Sequence, residues 1–334
     1  MKILFRALIT LILLTAAARA DVVNMIDVSK VACAVPCKRA AVIFIHGILG
    51  SKETWQNEDT SWPELLASDP TIGNELDIYR VDFDSYLLFP GPSIVDVLDG
   101  LQEKLDSLLQ TKRYKRVFLV GHSLGGTIAR AYLLHVKAKY GHRALSTFPI
   151  TFTLGTPSKG SSLATLASYA SQNQQLRVLL PIKVNDFQQL LNQTLKDILA
   201  KHSAVACPSL LVYSAFETQP MGAAGVVVSE ESATFESDEK RGFNRNHSTL
   251  VKPLDRTDPV YRWVADSMEE CLTDTAYCKP IPPDCGFVPS TWPSAGNAIA
   301  PYLSPVPSAK IGSPATPPLV GNSWSISPHL LDNK

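Results

Sequence analysis

Residues 117–126 read Val-Phe-Leu-Val-Gly-His-Ser-Leu-Gly-Gly. An apolar, β-prone run enters Gly-x-Ser-x-Gly, and a stretch of helical character follows. This spacing suits a serine nucleophile. The chain must turn sharply from strand to helix with Ser123 strained at the apex, and Gly121 and Gly125 stand where side chains would crowd that turn. Such strain lifts the Ser123 hydroxyl above the sheet edge. The helix behind it points its N-terminus at the same place, which favours developing negative charge. A serine is a weak nucleophile on its own and needs a base, which in turn needs an orienting group. Attack on a carbonyl also needs two N–H donors for the oxyanion.

The donors can be placed. One is the residue after the nucleophile, Leu124. The other belongs to a small-residue loop after a second apolar strand. Residues 42–50, Val-Ile-Phe-Ile-His-Gly-Ile-Leu-Gly, are such a strand and loop, and they assign the second donor to Ile48. His46 in that loop is expected to shape the turn through its ring nitrogens rather than to act as the base. Of the seven histidines, His122 belongs to the serine motif, His135 and His142 to the helix after it or just beyond, His202 to a helical stretch and His329 to the proline-rich end. His247 alone lies in a polar loop (Asn244-Arg245-Asn246-His247-Ser248) after the last strands. The order Ser, acid, His makes it the expected base. The acid should leave a strand end between Ser123 and His247. Glu217, shortly after Leu210–Tyr213, is favoured. Glu230, after Val226–Val228, is next with its neighbour Glu231, and Asp238 and Glu239 follow less well.

These residues need a scaffold. Ala40–Ile45 is a continuous apolar run, as a strand buried on both faces requires. Arg80–Phe83, Val117–Val120, Ile150–Leu154, Leu210–Tyr213 and Val226–Val228 read as further strands. Residues 93–110 carry Ile94, Val97, Leu98, Leu101, Leu105, Leu108 and Leu109 at helical spacing. Leu124–Tyr140, much of 161–202 and Val260–Cys271 read as helices. Alternating strands and helices predict an α/β chain with a mostly parallel sheet covered on both faces. In 161–202 the stripe Phe187, Leu190, Leu191, Leu195, Ile198 and Leu199 reads as core ahead of a cap over an acyl site.

Both ends differ from the middle. Lys2 and Arg6 precede an apolar run, Ala7–Ala18, interrupted only by Thr10 and Thr15, and Ala18-Arg19-Ala20 suits signal peptidase. Residues 1–20 therefore read as a secretory signal peptide cut before Asp21, the run being shorter than the ~20 residues that span a bilayer. The expected location is secreted or periplasmic. Residues 21–39 form a lead containing Cys33 and Cys37, 40–279 the α/β domain, and 280–334 a tail. That tail holds 12 of the 24 prolines, too many for a helix or a central strand, and reads as a mobile or surface-wrapping segment. Six cysteines in an exported chain predict disulfides, and six allow 15 pairings that sequence does not choose between. Thirty-one basic residues against 31 acidic ones leave no electrostatic footprint for nucleic acid.

Taken together these segments resemble the α/β-hydrolase fold and, more narrowly, its serine esterase and lipase-like group, over roughly residues 40–265. The resemblance is carried by Phe-Ile-His-Gly-Ile-Leu-Gly-Ser (44–51), Thr54-Trp55, Trp62-Pro63, Gly-His-Ser-Leu-Gly-Gly (121–126) and Leu-Gly-Thr-Pro (154–157) with Gly160-Ser161. Phe216-Glu217-Thr218, Val227-Val228, Ser232-Ala233 and Asn246-His247 extend it. It implies a Ser123–Glu217–His247 triad acting on carboxylic esters through an acyl-enzyme, with no metal or organic cofactor. The substrate would be a small-molecule or lipid ester, with peripheral membrane contact in the lipid case. Acyl transfer, thioester or amide hydrolysis would use the same residues. A silent binding module is the reading from another class. The chain departs from the pattern twice. Ser158 stands where family members often carry His, and Ala224 precedes Gly225 where bacterial lipases place Asp.

Overall fold

The computed structural model of the chain describes residues 22–29, 40–85, 92–161, 178–180, 185–200, 210–222 and 225–273, with 173, 175 and 278. All lie in one of two units, Met1–Ile299. The signal-like segment, Cys33, Cys37, Cys207, Cys285, His202, His329 and the proline-rich tail lie outside the described residues.

The sheet is built outward from its most apolar strand. β2 (Ala40–Ile45) is buried at all six positions. It can be, because it pairs in parallel with β3 (Leu76–Phe83) on one side and β4 (Arg116–His122) on the other. β5 (Ile150–Leu154), β6 (Leu211–Glu217) and β7 (Glu239–Phe243) continue in parallel beyond β4. β1 (Val23–Asp27) closes the far edge antiparallel to β3. The order β1-β3-β2-β4-β5-β6-β7 sends the chain one way after β2 and the other way after β3. Loops after β2 and β4 therefore part at the strands' C-terminal ends, the crevice where ligands bind in open α/β sheets.

Among the described residues the α-helices are α1 (Trp62–Ala67), α2 (Ile94–Lys112), α3 (Leu124–Tyr140), α4 (Asp186–Ala200), α5 (Glu230–Ala233) and α6 (Pro259–Thr273). α2 starts at a capping box, Ser93 with Asp96, and ends at Arg113 in the left-handed region. Its Ile94, Val97, Leu98, Leu101, Leu105 and Leu109 are buried. Each such side chain contributes about 1.5–3 kcal/mol of burial. Phe44, Trp55 and Trp62 form an edge-on aromatic cluster in the main core, with Phe44 and Trp55 centroids 5.0 Å apart.

The structure differs from the sequence reading in five places. β3 starts at Leu76, earlier than Arg80. β6 runs to Glu217, so that glutamate ends the strand instead of following it. Val226–Val228 is not a strand: Val227 and Val228 are buried in a loop against Ala233 and Phe216. The last strand is β7, and β1 lies within the lead segment. Both are edge strands. β7 exposes Lys240, Arg241 and Gly242, and β1 exposes Asn24, Ile26 and Asp27, so neither shows the apolar run that marks a buried strand.

Leu191, Leu195 and Ile198 of α4 are buried, Leu190 is exposed, and the helix contacts α3. Cys271, in the last turn of α6, has its sulfur joined to that of Cys278, with Cα atoms 4.7 Å apart. Among the described residues no helix is long and apolar enough to cross a membrane, and no His, Cys, Asp or Glu cluster could hold a metal ion.

Candidate active site

Ser123 sits between β4 and α3 at φ 53°, ψ −121°. A non-glycine residue held there costs of order 1–3 kcal/mol, and the surroundings must enforce it. They do so at three points. The Ser123 N–H donates to the Leu154 carbonyl of β5 (2.9 Å), and the Gly126 N–H donates to the Ser123 carbonyl (3.1 Å). Gly125 presses so closely on β2 that a Cβ there would overlap the Ile45 carbonyl. Leu124 is the first residue of α3, where an N–H has no intrahelical partner.

The loop after β2 lies against the serine. A Cβ on Gly47 would fall 2.8 Å from Ser123 Cβ and 3.3 Å from its Oγ. Ile48 is the next residue, so the sequence-assigned donors Ile48 and Leu124 belong to the two segments that meet at Ser123. His46 is buried and shapes this loop. Its Nδ1–H donates to the Gly47 carbonyl (2.8 Å), its Nε2 accepts from the Phe83 N–H (3.2 Å), and its ring stacks on Phe83. Burial holds its pKa below the ordinary histidine value.

Glu217 and His247 come together from β6 and the loop after β7. His247 Nδ1 is 3.1 Å from Glu217 Oε1, the Glu217 side chain is fully buried, and that of His247 is 12% exposed. The same Oε1 accepts the Val228 N–H at 2.9 Å. Burial alone would raise the Glu217 pKa. The His247 hydrogen bond and charge, with the Val228 N–H, outweigh it and leave the carboxyl below its ordinary value. Gly155, at φ +57°, makes room for the pair. A Cβ there would lie 3.1 Å from His247 Cε1 and Nδ1 and 3.2 Å from Glu217 Oε2. The His247 loop is braced from within, because Asn246 Oδ1 accepts the N–H groups of Ser248 and Thr249. Its base is pinned by the Arg245–Asp258 ion pair.

The competing acids are occupied elsewhere. Glu230 is exposed and pairs with Lys240 (3.0 Å), and Glu231 pairs with Lys159. Asp238 accepts the Val212 N–H, and Glu239 accepts the Trp263 indole N–H. Ser158, one of the two departures from the family pattern, is buried and bonded to the Arg130 guanidinium. Two contributors escaped the sequence reading. Gly155 stood inside a recognised motif without an assigned task, and the Val228 N–H lay in a run read as strand.

The family model for the PGAP1-like alpha/beta domain matches residues 37–206. The chain belongs to this family. The PGAP1-like match contains the Gly47 loop and Ser123 and ends before Glu217 and His247. Among solved structures, the mature lipase BlEst2 of Bacillus licheniformis is 19% identical, with 73% of this chain and 97% of that chain covered and a TM-score of 0.50. Phospholipase PlaB from Legionella pneumophila is 14% identical, with 74% and 60% covered and a TM-score of 0.52. At these identities the likeness is one of fold, and this PGAP1-like chain has the α/β-hydrolase fold. A curated relative, the 2-succinyl-6-hydroxy-2,4-cyclohexadiene-1-carboxylate synthase of Serratia proteamaculans (strain 568), is 27% identical over 100 residues, which are 29% of this chain and 33% of that one. The chain spans about a third of the length of the curated relatives it matches.

Proposed function

We propose that the chain is an exported serine hydrolase that cleaves carboxylic esters through Ser123, His247 and Glu217. The observation that carries this reading is the buried Glu217–His247 hydrogen bond, with His247 held against His122, the chain neighbour of a serine at positive φ. In the proposed reaction His247 Nε2 takes the Ser123 proton as Oγ attacks the ester carbonyl. Glu217 fixes the ring through Nδ1 and stabilises its cationic form. The N–H groups of Ile48 and Leu124 hold the oxyanion. Collapse expels the alcohol, which takes the proton back from His247. Water then enters by the same route and releases the acid from Ser123.

The buried stripe of α4 supports a core helix over an acyl-binding lid, and with it a short soluble ester over a lipid-like one. Export is supported by the basic-apolar start, the even cysteine count and the Cys271–Cys278 pairing.

The test is Ser123→Ala assayed on p-nitrophenyl esters of short and long acyl chains. The folded variant should lose hydrolysis and labelling by a fluorophosphonate probe, and wild-type rates should fall with chain length. Near wild-type kcat in a folded Ser123→Ala protein would sink the reading. A probe-labelled serine that turns over only when an alcohol or thiol acceptor is added would move the function to acyl transfer.

A further inference from the structure

His247 has to be brought a long way. Ser123 leaves β4, and His247 follows β7, with β5 and β6 between them. Three strand spacings are about 14 Å, so the loop carrying the base must return across the sheet edge and be stopped at the right place. The Glu217 hydrogen bond orients the imidazole from the β6 end. A second tie is made at the β4 end, by the residue just before the nucleophile. His122 Nε2 lies 3.1 Å from the backbone carbonyl oxygen of His247. The two rings meet at 4.8 Å between centroids with their planes at 42°, and Trp55 meets His122 edge-on.

From this juxtaposition we propose that His122 is a positioning residue for His247, binding the base loop to the last residue of the nucleophile strand. The proposal rests on the triad reading above. A carbonyl oxygen only accepts, so His122 Nε2 carries the proton and the tautomer is fixed. Nδ1 is then the bare nitrogen, and it is buried with no hydrogen-bond partner. A buried unpartnered acceptor destabilises the fold. It is consistent with a ring kept for the bond its other nitrogen makes. Burial first, then the neighbouring His247, hold the His122 pKa well below the usual histidine value. A neutral donor is what the site requires here. It steadies the loop without setting a positive charge beside a ring that must itself become cationic. Since His122 and Ser123 are adjacent in the chain, base and nucleophile share one rigid mount.

The experiment compares ester hydrolysis by wild type, His122→Phe and His122→Gln at equal folded fraction. Phe keeps the ring volume and removes the donor, while the Gln amide nitrogen reaches to where Nε2 sits. A displaced base costs chemistry more than binding. His122→Phe should therefore lower kcat about a hundredfold with KM within about threefold, and His122→Gln should return to within about fivefold of wild type. A His122→Phe kcat within about threefold of wild type, or a Gln variant as slow as Phe, would overturn the proposal. Should either variant not fold, ring ¹⁵N spectra of the wild-type protein at neutral pH decide. They should show His122 protonated at Nε2 and bare at Nδ1, and the opposite tautomer or a cationic ring would overturn it. Ser123→Ala and His247→Ala, assayed alongside, separate the two levels. If they retain activity the triad reading itself falls. If they lose it while His122→Phe does not, only the positioning role falls.

Discussion

Glu217 and Glu230 are the same side chain in opposite surroundings, and the contrast is testable. Glu217 directs one oxygen at both His247 and the Val228 N–H from a fully buried side chain. Glu230 pairs with Lys240 in solvent, where an ion pair contributes about 0–1 kcal/mol. Glu217→Gln should lower kcat at least about a hundredfold, roughly 2.7 kcal/mol of barrier, while Glu230→Gln stays within a few-fold of wild type. Kinetics at matched folded fraction check this, and a crippled Glu230→Gln would move the acid to the start of α5. The sequence favoured Glu217 because an apolar run preceded it. It left Glu230 open because Val226–Val228 looks like a strand when only composition is read. The structural histidines make a separate prediction. His46 and His122 both have pKa values below the ordinary 6.5, burial being the first cause of each. As pH falls below that value the unfolded chain binds protons before the folded one. Stability present above it is lost progressively toward the lower folded values. Unfolding free energies from urea titrations should drop between about pH 7 and about pH 5, by up to about 1.4 kcal/mol per pH unit for each ring. The Glu217 contribution, with its lowered pKa, is lost in a lower window, beneath the carboxyl value of 4.5. A flat profile from pH 7 to pH 5 would show that these rings are not held neutral by the fold.

At the scale of elements, whatever is buried on both faces or striped on one face can be read from sequence. β2, β4, β5, α2 and α3 are of this kind, and Leu124–Tyr140 and Ile150–Leu154 coincide with the sequence reading. β1 and β7 were not legible, since an edge strand exposes polar residues along its length and carries no period that water does not blur. Loop geometry was legible at Gly121 and Gly125 of the serine motif, and not at Gly155. That position and Gly222 have the same φ of +57°, so a Cβ costs the backbone about 1–2 kcal/mol at either one. They differ in what the Cβ meets. At Gly155 it meets His247 and Glu217, and at Gly222 nothing lies within 4 Å. Gly155→Ala should therefore lose more than about tenfold in kcat, and Gly222→Ala should show a similar loss of thermal stability with kcat nearly unchanged. Equal kcat in the two variants would mean that the Glu217–His247 pair tolerates crowding from β5.

At the scale of the whole molecule, the proposals that reach furthest concern where the chain works. The proposed Ser–acid–His chemistry needs nothing from the compartment, so the proposed location rests on the leader-like start and the cysteines. Two of the six are paired among the described residues, Cys271 closing a short loop with Cys278 next to α6. In the chain-entropy account, closing a loop of that length contributes on the order of 2 kcal/mol. The bond persists only where the surroundings are oxidising, since cytosolic reductants keep such thiols open. Cleavage and oxidation are therefore expected together. Protein recovered from the export route should begin at Asp21 and take up no alkylating reagent until it is reduced and unfolded. Intact-mass spectrometry before and after reduction measures both. A chain still carrying residues 1–20, or six cysteines alkylated without reductant, would refute the export reading. The ester chemistry proposed for Ser123 would survive that result, because neither the Ser123 turn nor the Glu217–His247 pair involves a sulfur.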